Sequence, residues 1–210
     1  MIRAHLATFP PRRRLLRKTC DAILPQVDHL FVVLKDYDEV PGFLAKNPKV
    51  TAIIPDRDVK DAGKFWFTPA PDDIVFTIDD DIGDPTDYVT RTLAHLDTIG
   101  PEGNVGGYQA NVCVGPRGSS ILPLSEIEPN AGARDIPFCA WLFRRGILPW
   151  TLPRAAGWLL NELPRNLRPS SLFQTVARKG HAACRGLTWS FATRWPHADI
   201  RHDRFAARPA

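Results

Sequence analysis

A chain of 210 residues with 44% hydrophobic and 24% charged side chains has a globular composition and enough length to bury a core. No run reaches the roughly eighteen apolar residues a membrane span needs, and Met1 to Leu6 lacks the charged-then-apolar pattern of a signal peptide. Charge divides the chain: residues 1–130 hold 14 Lys and Arg against 19 Asp and Glu, net −5, while residues 131–210 hold 13 against 4, net +9. An acidic front half suits a cation site, and a basic back half suits an anionic partner. Cys20, Cys113, Cys139 and Cys184 are far apart and form no C-x-x-C pair. They read as buried thiols in a reducing cytoplasm, not as a zinc site or a disulfide frame.

In chain order, Ile2 to Thr8 reads as a first strand, broken by Phe9-Pro10-Pro11. From Arg12 to Leu24 the apolar positions Leu15, Leu16, Cys20, Ile23 and Leu24 have helical spacing. Asp28 to Leu34 and Val50 to Ile54 are the second and third strands, with a short helical turn at Val40 to Ala45 between them. Lys60 to Phe67 is a short helix or loop around Gly63. Ile74 to Ile78 is a fourth strand, with the length and β-branched content of a buried strand. Pro85 stands where a first helical turn tolerates proline, and the helix continues from Tyr88 to Leu96. Val105 to Val114 is expected to be one further strand. Prolines interrupt residues 115–170, where a strand at Phe138 to Arg144 and a helix at Ser171 to Lys179 are the expected elements. Strands alternating with helices predict an α/β fold, with a mostly parallel sheet flanked by helices. There is no G-x-G-x-x-G after the first strand and no P-loop.

The fourth strand runs straight into Asp79, Asp80 and Asp81. Open α/β sheets bind ligands at the carboxyl ends of their strands. Three adjacent carboxylates repel one another, and a hard divalent cation with oxygen ligands offsets that repulsion. A solvated turn or a helix N-cap is the other reading of the same acids.

Three segments together resemble the GT-A glycosyltransferases, of the family 2 kind that makes capsular polysaccharide. Ala7-Thr8-Phe9-Pro10-Pro11-Arg12 resembles the exit of that fold's first strand. Asp61-Ala62-Gly63-Lys64-Phe65 is similar to its D-x-G-K-aromatic stretch. Asp79-Asp80-Asp81-Ile82 with Pro85 and Asp87-Tyr88-Val89 is similar to its D-D-D-I-x-x-P-x-D-Y-V block. Val105-Gly106-Gly107-Tyr108 is a weaker fourth match, and beyond about residue 112 the likeness fades.

The resemblance implies one GT-A-like domain over residues 1–210, with a nucleotide-sugar half at 1–114 and an acceptor-side half at 115–210. It implies a cytoplasmic, inverting transferase that uses Mn²⁺ or Mg²⁺ and a UDP- or GDP-type nucleotide-diphosphate sugar. The acceptor would be a hydroxyl on a glycan or a lipid-linked sugar, in polysaccharide or glycoconjugate synthesis. Thr8, Phe9, Arg12, Asp36, Lys64, Asp79 and Asp80 would bind the nucleotide sugar, and Asp79, Asp80 and Asp81 the metal. His202 is a late metal candidate in the basic tail.

The chain departs from the family at the base. Pro169-Ser170-Ser171-Leu172-Phe173 stands where the family has an M-A-D-I-like motif with a catalytic Asp. Serine is a poor base at neutral pH, so Glu162 and Asp135 become the candidate bases. The departure also leaves room for a non-catalytic nucleotide-sugar binder or accessory subunit. The segment from Trp150 to Arg168 carries Trp158-Leu159-Leu160 between arginines, a candidate for peripheral contact with the inner face of a membrane. No nucleic-acid motif is present, and nucleic acid is not an expected partner.

Overall fold

The computed structural model describes residues 1–99, 105–108, 111–114, 138, 142, 147 and 149–170. Its elements are the strands β1 (Ile2–Thr8), β2 (His29–Leu34), β3 (Val50–Ile53), β4 (Ile74–Ile78), β5 (Ile82–Gly83), β6 (Val105–Tyr108), β7 (Asn111–Val114), β8 (Trp150–Thr151) and β9 (Leu160–Asn161). The helices are α1 (Arg13–Ile23), α2 (Gly42–Ala45) and α3 (Tyr88–Ile99), with 3-10 helices at Pro10–Arg12, Lys60–Phe65 and Arg165–Ser170.

Seven strands form one sheet in the order β3-β2-β1-β4-β7-β6-β8, and β5 pairs with β9 in a separate ribbon. β1, β2, β3 and β4 are mutually parallel, and β7 runs antiparallel to β4 and β6. This is the mostly parallel, helix-flanked sheet that the strand–helix alternation predicts. The strand order reverses between β1 and β4, and ligands in open α/β sheets bind at such a switch point.

Side-chain alternation builds a core on each face of the sheet. On one face Ala4 and Leu6 of β1 and Phe76 and Ile78 of β4 pack with Leu16, Cys20 and Ile23 of α1. Leu16 and Ile23 are fully buried, each contributing on the order of 2 kcal/mol. On the other face Val75 packs with Ala62, Phe65, Val105, Phe138 and Leu142. Gln26 joins α1 to α3: its Nε2 donates to Pro85 O at 2.9 Å, and its Oε1 accepts from Val89 N at 3.0 Å, filling an orphan first-turn N–H of α3.

Two expectations are corrected. Val105 to Val114 is not one strand but the antiparallel pair β6–β7, in which Tyr108 stands opposite Asn111. Local apolar content cannot reveal a reversal that is fixed by cross-strand pairing. Phe138 and Leu142 are helical rather than extended, and their four-residue separation puts both in the second core. The helix expected at Ser171 to Lys179 lies outside the described residues.

Candidate active site at the β1–β4 rim

The carboxyl ends of β1 and β4 bring Thr8 beside Asp80. Thr8 is an even-numbered residue of β1, like Ala4 and Leu6, and shares their α1-facing side. Its Oγ1 donates to Asp80 Oδ2 at 2.6 Å. Arg12, delivered by the 3-10 helix after β1, donates through Nη1 to Asp80 Oδ1 at 2.5 Å. Thr19 of α1 donates to the Asp80 carbonyl oxygen at 3.3 Å. Both Asp80 carboxylate oxygens are thus engaged, and its side chain is 2% exposed. Burial pushes the Asp80 carboxyl up to about 6, against the pull of Arg12 and Thr8, so it remains an anion at neutral pH.

Asp79 and Asp81 differ from Asp80. Their side chains are 28% and 19% exposed. Asp79 Oδ1 accepts from Lys64 Nζ at 2.9 Å, and Asp81 Oδ2 lies 3.3 Å from Arg12 Nη1. Burial lifts the Asp81 carboxyl above its ordinary value against the opposing pull of Arg12, and the nearby charge of Asp79 adds to the rise. Two adjacent, partly exposed carboxylates are hard oxygen donors suited to a divalent cation.

Lys64 reaches this point because its backbone is fixed from behind. His5, on the odd-numbered face of β1, meets the Lys64 carbonyl oxygen through Nδ1 at 3.1 Å, and its Nε2 accepts from Arg3 Nε at 3.0 Å. That pair of contacts defines a neutral imidazole with its proton on Nδ1. Burial, and then the charge of Arg3, lower His5 to about 3, consistent with this form. Gly63 allows the close approach: a Cβ there would stand 2.9 Å from Val33 Cγ1 and 3.1 Å from Ala7 Cβ. The Gly-Lys pair thus has a mechanical reading, with one residue permitting contact and the next aiming a cation. The side chain of Asp61 lies outside the described ones.

The remaining sequence candidates are scattered. Phe9 follows β1 in extended conformation, with the Arg12 guanidinium 5.4 Å from its ring centroid. Asp36 follows β2 at φ 56°, a left-handed geometry that Asp tolerates. Its carboxylate pairs with Lys35 at 3.2 Å and points to solvent. Its chain neighbourhood is tied to the rim, since Lys35 N donates to Thr8 O at 2.9 Å. Asp135 and His202 lie outside the described residues.

Glu162 is brought to the acidic turn through its backbone: its N–H donates to Asp81 O at 2.8 Å, continuing the β5–β9 ribbon. Its carboxylate turns instead toward α1, where Lys18 Nζ stands 2.6 Å from Oε2. A Cβ on Gly83 would lie 2.8 Å from Glu162 Oε1, so that glycine makes room for the acid. Residues 158–162 thus strap the turn down. Beneath the strap lies a cleft of about 160 Å³, lined in part by Leu15, Thr19, Asp80, Asp84, Trp158 and Glu162. Trp158 is held in the structure: its Nε1 donates to Asp87 Oδ1 at 2.9 Å, and its ring packs 5.1 Å from that of Tyr108. Leu160 remains 52% exposed. Sequence reasoning missed Lys18, Thr19 and the strap, because nothing local marks a pairing between residues 18 and 162.

Among the described residues, no three His, Cys, Asp or Glu side chains gather as a metal cluster. Of the expected trio, Asp80 is buried against Thr8 and Arg12, and Asp79 and Asp81 are the partly exposed pair. A carboxylate pair fits a cation that shares its coordination with substrate phosphates.

No family model matches the chain, and no curated protein matches it. Solved structures do. The chain is similar to glucosyl-3-phosphoglycerate synthase from Mycobacterium tuberculosis, solved with Mn²⁺, UDP and phosphoglyceric acid. Identity is 14% and the TM-score 0.55, over 84% of this chain and 76% of that one. That likeness shows a shared fold. A candidate nucleotide-diphospho-sugar transferase from Desulfovibrio desulfuricans G20 matches at 13% identity and TM-score 0.46, over 84% of this chain and 95% of that one, too distant to carry an argument. Among the described residues, no helix is long and apolar enough to cross a membrane.

Proposed function

We propose that this protein is a metal-dependent glycosyltransferase that moves a sugar from a nucleotide-diphosphate sugar to a hydroxyl acceptor. The observation that carries the reading is the meeting of Asp79, Asp81, Lys64 and Arg12 at the carboxyl ends of β1 and β4, where the strand order reverses. Residues 1–114 form the donor half in this reading and residues 115–210 the acceptor side.

Breaking the glycosidic bond leaves negative charge on the diphosphate. Asp79 and Asp81 would hold Mn²⁺ or Mg²⁺, which supplies Lewis-acid stabilisation of that charge. Lys64 adds a point charge for phosphate, and Arg12 a planar guanidinium. The first turn of α1 contains no acid, so Arg12, Arg13 and Arg14 reinforce the positive end of the helix dipole beside the site. Asp80 holds Arg12 and the turn in place. The finer assignments rest on the block from Asp79 to Val89: UDP or GDP as the nucleotide, inversion, a glycan or lipid-linked acceptor in polysaccharide or glycoconjugate synthesis, and work in the cytoplasm or at the inner membrane face.

Calorimetry with UDP and GDP, with and without Mn²⁺, tests the reading. Metal-dependent nucleotide binding that disappears in Asp81→Ala is the expected result, and metal-independent or absent binding overturns it. A non-catalytic nucleotide-sugar binder is the second reading, favoured by Ser170 and Ser171 at the place of the family base. Release of UDP or GDP in the presence of an acceptor panel excludes it. Loss of that release in Glu162→Gln, with donor binding intact, would assign Glu162 as the base despite its bond to Lys18.

A further inference from the structure

We propose that the exposed ridge of α1, together with Leu160 on the strap, is a docking surface for an anionic lipid bilayer. The inference makes specific the membrane contact within the functional reading above. Its test uses neither nucleotide nor sugar, so each can fail without the other.

The helix is divided sharply between two sides. Leu15, Leu16, Thr19, Cys20 and Ile23 are buried, whereas Arg13, Arg14, Arg17, Lys18 and Asp21 are exposed. Residues 13 and 17, like 14 and 18, are four apart and neighbours on the helix surface, so the four cations form two adjoining rows. Like charges at that spacing destabilise a helix. Among the described residues no carboxylate pairs with Arg13, Arg14 or Arg17. The Arg17 guanidinium carbon stands 5.2 Å from the Phe43 ring centroid, a contact that orients the group without neutralising it. A surface of opposite charge relieves the repulsion along the ridge.

The strap supplies an apolar contact beside these cations. Among the described residues the large apolar side chains that stay exposed are Met1, Ile54 and Leu160. Leu160 is 52% exposed and borders α1, since it lines the same cleft as Leu15, Lys18 and Ala22. Its backbone is pinned: it stands opposite Gly83 in the β5–β9 ribbon, and two residues on Glu162 N donates to Asp81 O. Trp158 takes no part, because its bond to Asp87 and its packing on Tyr108 hold the indole in the structure. Cations beside a short apolar insertion are the combination that interfacial binding uses. A polyanion such as RNA would meet the same arginines but would give Leu160 nothing to enter. A bilayer with anionic headgroups satisfies both. The bond from Glu162 to Asp81 also joins this surface to the acidic rim, so a docked protein holds Asp79 and Asp81 near the headgroups.

Co-sedimentation with vesicles tests the inference. The wild type should bind vesicles of mixed phosphatidylcholine and phosphatidylglycerol, should not bind phosphatidylcholine alone, and should be released by added salt. A basic residue close to an anionic membrane changes partitioning by roughly five-fold, so Arg14→Gln combined with Arg17→Gln should weaken binding by roughly 25-fold. Leu160→Asn should weaken it several-fold with the salt dependence unchanged, because it alters no charge. All three positions are exposed, and melting temperature checks that the variants are folded. No binding to the mixed vesicles, equal binding to both kinds, or full binding by the double arginine variant overturns the inference. Binding to single-stranded RNA as tight as to the mixed vesicles, with Leu160→Asn without effect on either, assigns the ridge to a polyanion and overturns it as well. Each of these outcomes leaves calorimetry with nucleotide and Mn²⁺ to decide the functional reading by itself.

Discussion

The two faces of β1 reach the same rim by different chemistry. The even-numbered side, Ala4, Leu6 and Thr8, packs toward α1 and ends in the bond from Thr8 to Asp80. The odd-numbered side, Arg3, His5 and Ala7, packs toward the Lys60–Phe65 helix and ends in Lys64 on Asp79. One face immobilises a carboxylate, and the other delivers a cation to a carboxylate that remains accessible. Adjacent residues of one type thereby acquire different roles, because the turn directs Asp80 inward and its neighbours outward. An acid-rich motif is therefore not a set of equivalent ligands.

The largest expected effect tests that division directly. Asp80→Ala breaks a buried ion pair and should cost about 3–5 kcal/mol in denaturant unfolding, whereas Asp79→Ala, at a carboxylate that is 28% exposed, should cost less. Equal losses at the two positions would erase the distinction between a locked acid and an available one.

The odd face should show its own pH signature. The His5 pKa lies at about 3 in the folded chain, below its ordinary 6.5. Below pH 6.5 the unfolded chain binds a proton that the folded chain refuses. Stability is therefore fully present above about pH 6.5 and is lost as pH falls toward 3, by at most about 1.4 kcal/mol per pH unit from this one group. His5→Gln should flatten the curve of melting temperature against pH within that window. An unchanged slope would remove His5 from the account.

Gly63→Ala tests how Lys64 is placed. The added Cβ meets Val33 and Ala7, and overpacking of this kind costs about 1–3 kcal/mol. Nucleotide affinity with Mn²⁺ should fall along with stability, because the helix that carries Lys64 must shift. Stability loss without an affinity change would uncouple that helix from the site. At the small end, Lys18→Ala removes an ion pair whose lysine side chain is 62% exposed, and the unfolding free energy should change by less than about 1 kcal/mol. A larger loss would mean that the strap of residues 158–162 depends on that one pair.

Local pattern made much of this architecture legible. The predicted Ile2 to Thr8 and Ile74 to Ile78 match β1 and β4 residue for residue, and the apolar spacing of Leu15, Leu16, Cys20 and Ile23 marks the buried side of α1. These elements are specified by side-chain periodicity over a few residues, which any reader of the chain can see. The position of Asp79, Asp80 and Asp81 follows from them, since the acids come directly after β4. The hairpin of β6 and β7, the helical state of Phe138 and Leu142 and the β5–β9 ribbon are of another kind. Each depends on partners distant in sequence or on burial against the second core, and Val105 to Val114 reads as a strand whether or not it turns back.

By itself, then, the sequence determined that a mostly parallel sheet would carry three carboxylates at its carboxyl edge, and it marked Arg12 and Lys64 as candidate partners of a nucleotide sugar. Only the tertiary structure decided that Asp80 is tied down by Thr8 and Arg12, that Asp79 and Asp81 face outward with Lys64 and Arg12 upon them, and that Glu162 turns to Lys18. The reason is physical. Strand formation is governed by contacts within one segment, but the direction of a carboxylate is set by whichever donors the fold brings to it, and those donors lie 15 residues away for Asp79, 72 for Asp80 and 144 for Glu162.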